Sequence, residues 1–196
     1  MAKNKGKKKK AVKASWKNPP WLNIYASAKN SDETIMEIYG DIGESWWEES
    51  ISARGFAREL KNITTGTIVV KVNSLGGSVF DGTAIHNQLK GHAAKIIVII
   101  EGVAASIASV IVMAADEIRM PANAMLMIHD PWTCACGSSG EMRQAANALD
   151  KIKESIVVSY ERSGLSRDDI SKLMSDETWF TAEDALEQGF CDTIVD

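Results

Sequence analysis

Long apolar runs are missing from this chain. No stretch reaches the roughly 18 residues that a membrane-spanning helix needs. The basic opening MAKNKGKKKKAVKASWK has no apolar segment behind it, so no secretory leader is expected. Cysteine is scarce: Cys134, Cys136 and Cys191 make 3. An odd count without a leader suits a reducing compartment better than a disulfide framework. The C-A-C pair has no second Cys/His pair at zinc spacing, so neither a metal nor a cofactor is expected. There are also only 3 histidines, His86, His92 and His129. The first two fall on or just after a predicted helix and read as surface residues.

Acidic residues are absent from the first 17 positions, which hold 8 of the 22 Lys+Arg. The rest of the chain sets 14 basic against 26 acidic residues, a formal charge of −12 where the whole carries −4. A lysine run cannot pack against itself, so residues 1–20 are expected to form a disordered basic tail. Such a tail could be solvated, a removable pro-segment or an electrostatic handle for an acidic partner. The acidic body speaks against a nucleic-acid enzyme. The chain of 196 residues is long enough for one sizeable core, assigned to residues 21–196, and too short for two ordinary domains.

Strand and helix patterns alternate after residues 18–21, NPPW. TIMEIYG, TGTIVVKV, KIIVII, EIRM, AMLMI and FCDTIV read as strands, and KIIVII is apolar enough to be covered on both faces. ESWWEESISARGFAREL, VFDGTAIHNQLKGH, SIASVIVMAA and GEMRQAANALDKIKESIVVSYERSG read as helices. In the last of these, Met142, Ala145, Leu149, Ile152, Ile156 and Tyr160 form one stripe at steps of three and four. Ser166 with Asp169 and Thr181 with Asp184 open two further helices as capping boxes, and Gly189 is placed to end the second. The alternation predicts an α/β fold with right-handed crossovers and a mostly parallel sheet. In such sheets, sites form at the carboxyl ends of strands.

Three segments leave such ends: Asn73-Ser74-Leu75-Gly76-Gly77-Ser78, the turn into Ser106, and His129-Asp130-Pro131. A serine becomes a nucleophile when a base within hydrogen-bond reach takes its proton, and histidine suits that work near neutral pH. The oxyanion that develops needs backbone N–H donors. A glycine pair exposes such donors, and Ile107 adds one at a helix start. Each residue also has a plainer reading: Ser106 as an N-cap, His129 with a backbone partner, Gly76-Gly77 as a turn. Their convergence on one edge favours a serine hydrolase.

At these residues the chain resembles the ClpP-type serine protease family. NSLGGSVFDG, EGVAASIAS, LMIHDP and DETWFTAEDALEQGFCDTI match its glycine loop, nucleophile turn, histidine segment and closing segment, in order, over about residues 33–196. Within the family the likeness is to phage head maturation (prohead) proteases. Leu75 stands where the family's loop has proline. The resemblance implies a ClpP/crotonase-like spiral of repeated β-β-α units and homo-oligomeric rings, a heptamer or double ring. It implies a catalytic triad of Ser106, His129 and Glu177, with Asp176 as the other candidate acid, and an oxyanion hole of Gly77 and Ile107. It also implies an ATP-independent endopeptidase acting on capsid and scaffold protein in the host cytoplasm or procapsid interior. The proteolytic subunit of an ATP-dependent Clp protease is the alternative. A crotonase-like acyl-CoA enzyme and a non-catalytic ring scaffold stay open as other classes; reaction of Ser106 with a fluorophosphonate separates the protease from both.

Overall fold

A computed structural model of the chain describes residues 22–43 and 50–196. The elements, in order, are β1 (Leu22–Ala26), β2 (Glu33–Tyr39), β3 (Asp41–Ile42), β4 (Ser50–Ile51), α1 (Ala53–Leu60), β5 (Thr67–Ser74), α2 (Val79–Lys90), β6 (Lys95–Ala105) and α3 (Ile107–Val112). There follow β7 (Glu117–Pro121), β8 (Met125–Ile128), α4 (Ser139–Tyr160), α5 (Arg167–Ser175), β9 (Thr178–Phe180), α6 (Ala182–Glu187) and β10 (Thr193–Val195). The proposed basic tail over residues 1–20 lies outside the described residues.

The β-branched runs lie at the centre of the main sheet, ordered β1-β2-β5-β6-β7-β10. Every pairing along it is parallel except that of β1 with β2. Parallel central strands are covered on both faces. Ile68, Val70 and Val72 of β5 are accordingly sealed from solvent, and their neighbours on the other face, Val69 and Ile97, are 7% exposed each. This is the mostly parallel α/β architecture expected, consistent with the ClpP/crotonase-like fold.

The sequence reading does not contain the strands β1, β3, β4 and β9, and two further differences bear on the site. The helix expected from Glu44 begins at Ala53, because Ser52 caps it by accepting a hydrogen bond from the Gly55 N–H. Just before it, Ser50–Ile51 pairs with β3 as a short parallel strand, which buries Ile51. Trp47 lies outside the described residues. The second difference is β6, which runs on through the small residues to Ala105. Its first half pairs with β5 and β7, whereas Val103–Ala105 pairs with β8 in place of β7, Ala104 still meeting Ser74 of β5, and β9 then lies antiparallel on β8. Small side chains let one strand leave one neighbour for another, and the switch delivers Ser106 beside the end of β8.

Helix α2 packs tightly on α3: a Cβ at Gly82 would lie 2.2 Å from Cγ1 of Ile107. The same packing corrects the reading of His86 as a surface residue. It is 9% exposed, and its Nδ1–H donates to the Val110 carbonyl at 2.8 Å. Burial pushes its pKa below the usual 6.5, an effect that outweighs the backbone hydrogen bond, and Lys90 pushes the same way.

Candidate active site

Ser106 occupies the N-cap position of α3 but makes no side-chain capping bond. Its backbone lies at φ 55°, ψ −129°, a conformation that costs a non-glycine residue on the order of 1–3 kcal/mol. The Ser106 N–H donates to the Met127 carbonyl at 3.0 Å, which ties the turn to β8. That backbone frees the hydroxyl from capping, and it lies 2.7 Å from Nε2 of His129. The distance is that of a hydroxyl bonded to an imidazole that can take its proton.

His129 follows the last residue of β8. The pairing of β8 with β9 runs Leu126 opposite Phe180, Met127 opposite Trp179 and Ile128 opposite Thr178. Glu177 immediately precedes β9, as His129 immediately follows β8, and Asp176 is one residue further from the strand. Glu177 and His129 line one open cavity of about 320 Å³, with Asp130, Trp132, Met174 and Ser175. Among the described residues neither carboxylate hydrogen-bonds the His129 ring. Glu177 is held at φ 48° in the position after the α5 cap where glycine is usual, its N–H on the Met174 carbonyl at 3.1 Å.

The glycine loop approaches the serine from the β5 side. Gly76 and Gly77 have φ of 103° and 142°. A Cβ on Gly76 would lie 2.7 Å from the Ser106 Cβ and 3.2 Å from the Ile107 nitrogen. The loop is pinned by β3: the Ile42 N–H donates to Gly76 O at 2.8 Å, and the Ser78 N–H to Ile42 O at 2.7 Å. In this parallel bridge the Gly77 N–H is left out of the pairing. Neither it nor the Ile107 N–H has an acceptor among the described residues. Two backbone donors thus remain unpaired on segments that meet at Ser106.

A narrow apolar recess opens beside the hydroxyl, walled by Val79, Val110, Pro131, Ile156 and Tyr160. On the other side of His129, Asp130 pairs with Lys153 of α4 at 2.8 Å, and Ser175 Oγ donates to Asp130 at 3.1 Å. The sequence reading did not find this three-element clamp. Its one sequence signal is the acid that directly follows His129. Cys134 and Cys136 are exposed on the loop leading to α4, and among the described residues no group of three or more His, Cys, Asp or Glu is placed to hold a metal.

Comparison with known proteins adds an independent observation. A family model described as "Clp protease" matches residues 21–196. The chain is 30% identical over 131 residues to an ATP-dependent Clp protease proteolytic subunit of Bacteroides fragilis, covering 65% of this chain and 63% of that protein. It is 35% identical over 133 residues to ATP-dependent Clp protease proteolytic subunit 1 of Chlamydia abortus, covering 65% and 69%. A Porphyromonas gingivalis proteolytic subunit is 30% identical over 132 residues, covering 66% and 60%. The match thus spans less than two thirds of the length of the Bacteroides and Porphyromonas proteins.

Proposed function

The chain belongs to the Clp protease family, and from that membership together with the 2.7 Å contact between Ser106 Oγ and His129 Nε2 we propose that it is a serine-type endopeptidase. In this reading His129 takes the Ser106 proton as Oγ attacks the peptide carbonyl. The Gly77 and Ile107 N–H groups receive the oxyanion. Glu177 moves onto the second ring nitrogen of His129, fixing its tautomer and supporting the imidazolium. The imidazolium then protonates the leaving amine, and water enters by the same base to release the acyl group.

The working form is a ring of identical subunits. Support comes from α4, where only the end of the stripe, Ile156 and Tyr160, is buried in the protomer, while Met142 is 51% exposed. A second copy of the chain is the occupant proposed for that exposed stripe. The names of the relatives support a proteolytic subunit working with an ATP-driven unfoldase, and this setting has the better support. The second setting is cleavage of scaffold and capsid protein during phage head maturation without ATP. It is favoured by the likeness of NSLGGSVFDGTAIHNQL and MIHDPWT to that branch and by the exposed, small-residue segment after Trp132.

Hydrolysis of a fluorogenic peptide by the full chain tests the chemistry. Ser106→Ala is expected to lower kcat on the order of 10⁶. A Ser106→Ala protein that still hydrolysed the peptide at an appreciable fraction of the original rate would overturn the assignment. Degradation of a folded substrate that requires ATP and a Clp-type ATPase supports the first setting. Specific cleavage of co-expressed scaffold and capsid proteins with no unfoldase present supports the second.

A further inference from the structure

Inside the apolar helix α3, one polar side chain is sealed from solvent. Ser109 is 0% exposed, and its Oγ lies 2.5 Å from the Ser106 carbonyl oxygen. The Ser109 N–H donates to the same oxygen at 3.0 Å. On its other side, Ser109 Oγ lies 2.7 Å from the hydroxyl of Tyr160, which is 1% exposed at the end of α4. The proton directions follow from the acceptors. A carbonyl can only accept, so the Ser109 hydroxyl gives its one hydrogen to Ser106 O. The Tyr160 hydroxyl must then donate to Ser109 Oγ. Burial holds the Tyr160 hydroxyl protonated well beyond the ordinary tyrosine range, so it remains a donor.

The carbonyl of Ser106 and the N–H of Ile107 belong to the same planar peptide unit and point in opposite directions. Whatever fixes one fixes the other. The turn at Ser106 is also strained, so without restraint this peptide would relax toward an ordinary conformation. We propose that Tyr160 and Ser109 form a hydroxyl relay that clamps the Ser106–Ile107 peptide, so that the Ile107 N–H faces the oxyanion. Both are positioning residues, whose hydroxyls act through the Ser106–Ile107 peptide and not on the reacting atoms. The inference rests on the reading of Ser106 as the nucleophile. It extends that reading by making the end of α4 part of the machinery that holds the transition state.

Tyr160→Phe is the primary test. It keeps the ring and its edge contact with Phe190, whose centroid is 5.9 Å away, and removes only the terminal donor. Displacing a catalytic donor by about 1 Å costs on the order of a hundredfold, and deleting one costs about 10²–10³. Partial release of the clamp is therefore expected to lower kcat about ten- to a hundredfold with KM within about threefold. Binding of the corresponding peptide aldehyde, which forms a tetrahedral adduct on Ser106, should weaken by the same factor as kcat. Ser109→Ala should reproduce the loss, and the double variant should be no slower than Ser109→Ala alone, because the two hydroxyls act in series. All rates are read below the thermal midpoint of each variant. A Tyr160→Phe protein with kcat within about twofold of the original would overturn the relay. So would losses that multiply in the double variant, or weaker peptide binding with aldehyde affinity unchanged relative to it. If the unaltered protein shows no Ser106-dependent hydrolysis, the endopeptidase reading falls and takes the relay with it. If it is active while Tyr160→Phe is silent, the relay alone falls.

Discussion

Substitution of Gly77 by alanine tests the proposed oxyanion loop. Two effects follow from the geometry. The φ of 142° is one that residues with a Cβ rarely adopt, which costs on the order of 1–3 kcal/mol. The new Cβ would also stand 2.1 Å from the Ile42 carbonyl oxygen and 3.0 Å from its carbon and nitrogen. Relief to ordinary contact requires a shift of about 1 Å, and it must come from backbone, because Ile42 is bonded to Gly76 and Ser78 on either side of the clash. A displacement of about 1 Å at a donor costs on the order of a hundredfold in rate. The expected result is kcat lowered by about 10²–10³, with KM changed far less. Gly164→Ala is the control, because Gly164 has φ 84° but nothing within 4 Å of the site of its Cβ. It should lower the thermal midpoint through strain while leaving kcat unchanged. Steady-state hydrolysis of a fluorogenic peptide, with thermal unfolding of each variant, makes the comparison. A Gly77→Ala enzyme within about threefold of the original kcat would refute the placement of this N–H at the oxyanion.

The acid assignment is checked by Glu177→Gln and Asp176→Asn side by side: the first should lower kcat by up to about 10⁴, the second little. A loss confined to Asp176→Asn reverses the assignment. His86 is buried with a depressed pKa, so the stability it confers is complete above its unfolded value near 6.5 and is lost as pH falls below that value toward the lower folded one. The urea midpoint should therefore drop between pH 7 and pH 5, and the drop should be smaller in His86→Gln; equal drops would exclude His86 as a contributor. Leu149→Asp, on the half-buried part of the α4 stripe, should convert the ring to monomers in sedimentation at micromolar concentration. An intact ring would move the interface elsewhere.

Much of the candidate site's layout could be read from the order of residues. Strand and helix periods placed Gly77, Ser106 and His129 at the ends of β5, β6 and β8, because in a parallel sheet the carboxyl ends gather on one edge. The helix boundaries before Ser52 and the depth of His86 could not be read so. Both depend on which neighbour an element meets: Ile51 on β3, His86 on the carbonyl of Val110. Whether Ser106 caps its helix or serves His129 was open in the sequence, since a serine at a helix start fits both. In the tertiary structure β6 runs on to pair with β8, and Ser106 sits at φ 55° with no capping bond and its hydroxyl beside His129. The preference for Glu177 over Asp176 draws its support from the cavity that Glu177 and His129 line together. Local pattern determines which residues can enter a site, because hydrophobic period and capping act over a few residues. Which atoms meet there is a property of strand pairing and packing between segments far apart in the chain, and only the folded structure contains it.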